Sequence, residues 1–386
     1  MNQQNLKYKR IVIKVGSNLL TGGAEQLNEH VIADIARQIA ALKESGCQCI
    51  LVSSGAVAAG KSALGIKKIA CETQTRQLCA AVGQGRLMHL YERNFEQYNI
   101  IVAQALLGKR DFVWETNDQT RSSYLNARNT LTACLERNLV CIVNENDVTS
   151  IEELKGHRFG DNDTLSALVA NMVDADLLLI LSDVEGLYDR NPHKYTDAQL
   201  INKVVKIDEA IIKAATSDAG ARGTGGMITK VKAAKTAGES GIPTIITKGS
   251  THNAILNVCS DNYNGTYFAP SSDRLESKKR YLTSGLTVCG QLIVDSGAAK
   301  ALKEKGSSLL PKGIIAISGI FASGNVVAIV NQQGQIFGYG YSNYSAAEVD
   351  KIKGQHSKDI INILGLHLGD EVIHANNLVI TEKGVL

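Results

Sequence analysis

The chain of 386 residues has no apolar run long enough to cross a membrane. Its most hydrophobic stretch, Leu177 to Leu181, is five residues, against the roughly 20 that a spanning helix needs. The N-terminus lacks the basic n-region and apolar h-region of a secretory signal, so a cytoplasmic chain is expected. None of the eight cysteines forms a C-x-x-C pair, which argues against a zinc ribbon or a redox dithiol. Several of them (Cys47, Cys49, Cys141) sit in apolar runs and read as small buried hydrophobes in a reducing compartment. The eight histidines show no metal-ligand spacing, and no Ser-His-Asp or Cys-His set is evident. A net charge of +3 is too small to argue for nucleic acid. Arginine is absent from Tyr281 onward, where eight lysines balance eight acidic residues; that neutrality argues against RNA as a partner.

What is present is an alternation of β-branched runs and helical periodicity. Arg10–Val15, Cys49–Ser53, Ile100–Leu107, Leu139–Val143, Ala175–Leu181 and Thr244–Thr247 read as strands. Between the first two, Val31, Ile32, Ile35, Ile39 and Leu42 keep helical spacing. Thr73 to Tyr98 reads as a helix interrupted near Gly83-Gln84-Gly85, and Ser122 to Asn138 as another helix. This order predicts an α/β fold, a mostly parallel sheet sandwiched between helices, whose ligands bind beyond the carboxyl ends of the strands. Lys14, Ser54, Asp147 and Asp183 all fall at such ends.

Two stretches carry glycine in a way that suits phosphate. Gly223-Thr224-Gly225-Gly226 opens a helix from Met227 to Glu239, so unpaired N–H groups and a positive helix end face a ligand. Lys230 lies in that first turn, where a cation is unfavourable unless an anion offsets it. Gly55 to Ser62 formally matches the P-loop pattern G-x-x-x-x-G-K-S, with Asp183 able to pose as its magnesium-binding partner. Its interior, Ala56-Val57-Ala58-Ala59, is helix-compatible, so we read it as the first turns of a helix and the match as fortuitous. Polar residues crowd two more junctions, Asn144-Glu145-Asn146-Asp147 after a buried strand and Gly160-Asp161-Asn162-Asp163 at a helix start; enclosing them unpaired would be costly, so they should face a site. Val184 to Asp189 reads as a loop whose Tyr188 covers a base.

Composition changes after Pro270. We expect residues 1–270 to form the main domain, 271–280 a polar linker, and 281–386 a small, mainly β domain with a helical tail from Ala346 to Leu364.

Ile13-Lys14-Val15-Gly16-Ser17, Val52 to Ala56, Val143 to Asp147, Gly160 to Asp163 and Gly223 to Lys230 together resemble the amino acid kinase family, and Gly306 to Gly313 resembles a PUA domain. The resemblance implies ATP-dependent phosphorylation of the γ-carboxylate of L-glutamate to glutamyl 5-phosphate, for proline synthesis. Carried over, Ser54, Asp147 and Asn162 bind glutamate; Lys14 and Lys230 stabilise the transferring phosphoryl group, with Asp163 orienting them. Lys14, Ser182, Asp183 and the run Thr224, Gly225, Gly226, Met227, Ile228, Thr229 and Lys230 hold ATP. Mg2+ bridges the ATP phosphates, with no protein ligand assigned. The resemblance further implies feedback inhibition by proline, a homo-oligomer (dimer or tetramer), and hand-over of the product to glutamyl phosphate reductase. Residues 149–159 are a candidate mobile lid on polarity alone. The rival readings are a family member acting on N-acetylglutamate, aspartate, carbamate or UMP, a P-loop NTPase, and RNA binding through the PUA domain.

Overall fold

The computed structural model describes residues 7–66, 73–108, 111–112, 118–149, 162–192, 194–216, 226–272 and 288–381. The chain divides into two units, residues 1–109 with 128–274, and residues 110–127 with 275–386. The proposed linker lies largely outside the described residues, as does the candidate lid beyond Thr149.

The expected alternation is present. In chain order run β1 (Arg10–Val15), α1 (Ser17–Thr21), α2 (Glu29–Glu44), β2 (Gln48–Ser53), α3 (Ala56–Leu64), α4 (Thr73–Glu96), β3 (Val102–Leu107) and α5 (Asp118–Glu136). Then follow β4 (Val140–Glu145), α6 (Asn162–Met172), β5 (Leu177–Ser182), β6 (Lys203–Val204), α7 (Glu209–Thr216), α8 (Met227–Glu239), β7 (Thr244–Lys248), α9 (Ala254–Cys259) and β8 (Gly265–Phe268). Among the described residues the strands form one eight-stranded sheet in the order β3-β4-β2-β1-β5-β7-β8-β6. Every pairing from β3 through β7 is parallel, while β8 runs antiparallel to β7. The carboxyl ends of β1, β2, β4, β5 and β7 therefore share one edge.

Central strand β1 shows how the site is positioned. Successive side chains on a strand point to opposite faces. Ile11, Ile13 and Val15 join a core with Ile32, Ile35 and Ile39 of α2 and Leu87 and Tyr91 of α4. Val12 and Lys14 consequently face the other way, and Lys14 meets a residue of α6 there. Helices on both faces leave β5 buried along its whole length, which explains its unbroken apolar run.

The interruption expected near Gly83 is absent: α4 is continuous from Thr73 to Glu96. Gly83 serves close packing instead. A Cβ on it would lie 1.8 Å from the carbonyl oxygen of Ala56, and one on Gly60 would lie 1.8 Å from that of Cys79. Helices α3 and α4 thus cross backbone to backbone through these two glycines. The same contact disposes of the P-loop reading, because Gly55–Ser62 is the entry and first turns of α3. Its Lys61 pairs with Glu25 at 3.2 Å rather than closing a phosphate loop.

The second unit holds β9 (Gly290–Val294), α10 (Ser296–Lys305), β10 (Ile314–Gly319), β11 (Val326–Val330), β12 (Ile336–Tyr341), α11 (Ala346–Ile352), α12 (Ile360–Leu364) and β13 (Leu378–Ile380). Among the described residues its strands order as β10-β9-β11-β12-β13. Asp295 caps α10 by accepting from the Ala298 N–H at 2.6 Å, and Gly306 ends that helix in the left-handed region at φ 58°. Residues 346–364 hold helices at both ends, as expected, but they are not a tail. Val349, Ile352 and Ile360 are buried in this unit's core, and the chain continues into β13, which pairs with β12. Among the described residues no helix is long and apolar enough to cross a membrane.

The glycine crossing makes a paired prediction. Gly83→Ala should cost about 2 kcal/mol or more through overpacking, whereas Gly85→Ala, with open space around it, should be neutral or stabilising by up to about 1 kcal/mol. Urea denaturation of the two variants checks this, and equal behaviour would refute the close crossing.

Candidate active site

Three elements bring their charges to one point. Lys14 enters from β1, Asp163 from the first turn of α6 and Lys230 from the first turn of α8. Asp163 Oδ1 lies 2.5 Å from Lys14 Nζ, and Oδ2 lies 3.2 Å from Lys230 Nζ. Asp163 has no exposed surface, and the lysines are 5% and 8% exposed. The Thr229 hydroxyl lies 2.7 Å from Asp163 Oδ2 and 2.7 Å from the Gly226 carbonyl, so its single proton serves one acceptor at a time. The unfavourable position of Lys230 at a helix N-terminus is thus offset within the protein, by Asp163.

Burial alone would push the Asp163 carboxyl up. The adjacent Lys14 and Lys230 ammonium groups, with hydrogen bonds from Lys14 and Thr229, outweigh it and hold the group at about 2, against an ordinary 3.8. Asp163 is therefore a fixed anion at neutral pH. Two ammonium ions and one carboxylate leave a local excess of one positive charge, which suits a polyanionic phosphate.

These lysines line a cavity of about 360 Å³, whose other wall comes from the ends of β2 and β4 and the start of α6. The Asn162 amide Nδ2 donates to Ser54 Oγ at 2.7 Å and to Asn144 Oδ1 at 3.1 Å. Asn144 Oδ1 also accepts from the Glu145 N–H at 2.9 Å, and Asn144 Nδ2 donates to Gln84 Oε1 at 2.9 Å. Ser54 is tied to the neighbouring strand through its N–H, which donates to the Val15 carbonyl at 3.1 Å. Asp147 and Glu145 line the same cavity, as do Lys61 and Arg76. A cation and a carboxylate on one small molecule would both find partners here.

At the end of β5, Ser182 Oγ lies 3.1 Å from Asp183 Oδ1, and the Asn18 amide reaches Asp183 Oδ2 at 3.5 Å. Burial works against the Asp183 carboxylate, but a backbone N–H, Ser182, Asn18 and the Lys230 charge more than compensate and hold it below its ordinary value. Ser182 and Asp183 line the cavity too. Of the sequence-assigned positions, Lys14, Ser54, Asp147, Asn162, Asp163, Ser182, Asp183 and Lys230 are brought together. Gly226, Met227, Ile228 and Thr229 form the entry to α8, with Thr229 turned onto Asp163. Gly223, Thr224 and Gly225, like Gly160 and Asp161, lie outside the described residues.

Tyr188 is not among the lining residues; its hydroxyl donates to Glu185 at 2.9 Å. Sequence reasoning saw the polar run at Asn144 but did not single that residue out. Its signal is the first polar position after the apolar run of β4, and it is 3% exposed. Asn18 and Arg76 were also not singled out, and Lys61 was weighed only as a P-loop lysine, since each joins the cavity through the packing of separate helices.

Comparison with known proteins follows the same lines. Residues 9–248 match the amino acid kinase family, and residues 290–364 match the PUA domain. A protein of Dehalococcoides mccartyi (strain CBDB1) named glutamate 5-kinase is 45% identical over 373 residues, covering 97% of this chain and 98% of its own. Proteins of the same name from Herpetosiphon aurantiacus and Vibrio campbellii are 45% and 43% identical, covering 96% and 99% of this chain and 98% and 99% of their own.

Asp163 titrates below its ordinary 3.8, so its ionisation contributes stability that is complete above about pH 4 and is lost as pH falls toward 2. Asp163→Asn leaves two buried ammonium groups without a counter-charge and should cost about 3 kcal/mol at pH 7. In urea denaturation across a pH series, the gap from the unsubstituted chain should narrow below about pH 4. A gap constant down to the acid limit would contradict an ionised Asp163.

Proposed function

This chain belongs to the amino acid kinase family, and on that premise we propose that it transfers the γ-phosphoryl group of ATP to the γ-carboxylate of L-glutamate. The product is L-glutamyl 5-phosphate, the first intermediate of proline synthesis. The observation that carries the proposal is the Lys14–Asp163–Lys230 group facing Ser54, Asn162 and Asp147 across one cavity. The full-length relatives named glutamate 5-kinase support this choice of acceptor over others of the family.

The chemistry asks little of a base. A glutamate side-chain carboxyl, with an ordinary pKa near about 4.3, is already ionised at neutral pH and can attack phosphorus directly. One of its oxygens forms the new P–O bond while the bond to the β–γ bridging oxygen breaks and ADP departs. Catalysis is then positioning plus neutralisation of charge on the moving group. Lys14 and Lys230 supply the charge, and Asp163 holds both ammonium groups in place. Asp147 receives the substrate ammonium, while the Ser54 hydroxyl, held by the Asn162 amide, orients a substrate carboxylate. Ser182, Asp183 and residues 224–230 hold ATP. Both Asp163 oxygens are engaged by Lys14, Lys230 and Thr229, which suits a Mg2+ held by ATP phosphate oxygens rather than by this carboxylate. That ion, when bound, supplies further neutralisation of phosphate charge.

The proposal extends to residues 1–270 as the kinase domain, joined by 271–280 to a PUA domain over 281–386. It extends also to a cytoplasmic homo-oligomer whose glutamate pocket overlaps a proline-inhibition site. Its labile product passes to glutamyl phosphate reductase.

ADP release with L-glutamate, aspartate, N-acetylglutamate and UMP as separate acceptors tests the reading, with hydroxylamine present to trap an acyl phosphate. Hydroxamate is expected with glutamate alone. Lys14→Ala and Lys230→Ala should each lower kcat about 100-fold or more, and Lys61→Ala should retain far more activity than either. Turnover with a different acceptor would overturn the substrate, and a larger loss at Lys61 than at Lys230 would revive the P-loop reading.

A further inference from the structure

The acceptor wall ends in a chain of amides whose far member lies outside the cavity lining. Asn144 decides its direction. The Glu145 backbone N–H can only donate, and it lies 2.9 Å from Asn144 Oδ1, so that atom must be the carbonyl oxygen. Asn144 Nδ2 therefore points at Gln84, which presents its own carbonyl at 2.9 Å. The same Asn144 oxygen takes an N–H from Asn162 at 3.1 Å, and this turns the Asn162 Nδ2 toward Ser54 Oγ at 2.7 Å. With its oxygen accepting that N–H, the Ser54 hydroxyl keeps its proton for another acceptor, and Ser54 lines the cavity.

Gln84 is held for this purpose by a close helix contact. Its neighbour Gly83 lies against the Ala56 carbonyl, where a Cβ would come within 1.8 Å, and Ala56 opens the helix that directly follows Ser54-Gly55. The Gln84 carbonyl and the Ser54 hydroxyl are thus fixed relative to each other from both ends, by backbone packing and by the amide chain. Gln84 Nε2 is buried without a hydrogen-bond partner among the described residues. A buried donor left unpaired is costly, so what the glutamine contributes here is at its other end, where it pairs the buried Asn144 Nδ2. Its carbonyl is the part in use.

We infer that Gln84 is a positioning residue for the acceptor: by accepting from Asn144 Nδ2 it pins in place the amide whose direction the Glu145 N–H sets, and so holds the Asn144 oxygen that orients Asn162 and leaves the Ser54 hydroxyl to donate to the substrate carboxylate. This rests on the reading of glutamate as acceptor. The nucleotide side of the cavity, built from Ser182, Asp183 and Lys230, has no link to this chain in the hydrogen bonds described above. Gln84 therefore governs acceptor affinity and leaves ATP affinity alone.

Gln84→Met keeps the length of the side chain and removes the carbonyl. In the hydroxamate assay on the full chain, KM for glutamate should rise about tenfold or more, with KM for ATP and the melting temperature little changed. Coupling separates a positioning role from a structural one. In a Ser54→Ala background, Gln84→Met should add less than about twofold, since the group it acts through is gone. Calorimetric titration with glutamate provides the same comparison where turnover is too slow to follow. An unchanged KM for glutamate, an equal rise in KM for ATP, or effects that multiply independently with Ser54→Ala would each overturn the inference. If the unsubstituted chain fails to turn over glutamate, the acceptor reading falls and this inference falls with it. The loss then appears before any substitution, which distinguishes the two failures.

Discussion

A carboxylate with no exposure to water, Asp163, holds together two ammonium groups that would otherwise repel each other. It comes from the first turn of α6, and its partners come from β1 and α8, so one side chain ties three elements of the kinase unit at the carboxyl edge of the sheet. Removing a charge of this kind from water is expensive, and the cost is recovered only because both oxygens are engaged at short range. The arrangement leaves one net positive charge beside the strand ends, with the lysines placed before any ligand arrives. For a reaction that consists largely of neutralising a moving phosphoryl group, that preorganisation is the main requirement.

A second constraint lies beneath the acceptor wall. Helices α3 and α4 approach so closely that only glycine fits at residues 60 and 83. This contact fixes the turn at Ser54 against the middle of α4, and the amide chain from Gln84 to Ser54 spans the gap. It also explains a misleading motif. Gly55, Gly60, Lys61 and Ser62 stand at P-loop spacing, yet Gly60 is there for helix packing and Lys61 reaches Glu25.

Much of the site was legible because of where polar residues interrupt apolar runs. Lys14 in a β-branched strand, Ser54 and Asp183 just past strand ends, and Asn144, Glu145 and Asp147 all broke a local pattern, and all line the cavity. Asp163 and Lys230 stood at helix starts, where one was explicable as a cap and the other was not; the structure pairs them. The errors arose where local propensity met tertiary packing. Glycines within α4 suggested an interruption, but the facing backbone of α3 makes Gly83 the residue that lets the helix continue. The helix-prone stretch 346–364 suggested a tail, but its apolar face is core, which its two short helices cannot form alone.

The amino-acid sequence by itself determined the parallel α/β class, the edge of the sheet where the candidate site lies, and the family to which the chain belongs. These follow from period, strand-end chemistry and motif spacing, all of them properties of neighbours along the chain. Only the tertiary structure decided which side chains share a proton or a charge: that Lys230 finds its counter-ion in Asp163, and that Asn144 must turn its amide toward Gln84. The reason is physical. Hydrogen bonds and ion pairs depend on separations of a few ångströms between residues far apart in the chain, 67 positions for Asp163 and Lys230, and nothing local in the chain encodes that distance until the helices have packed.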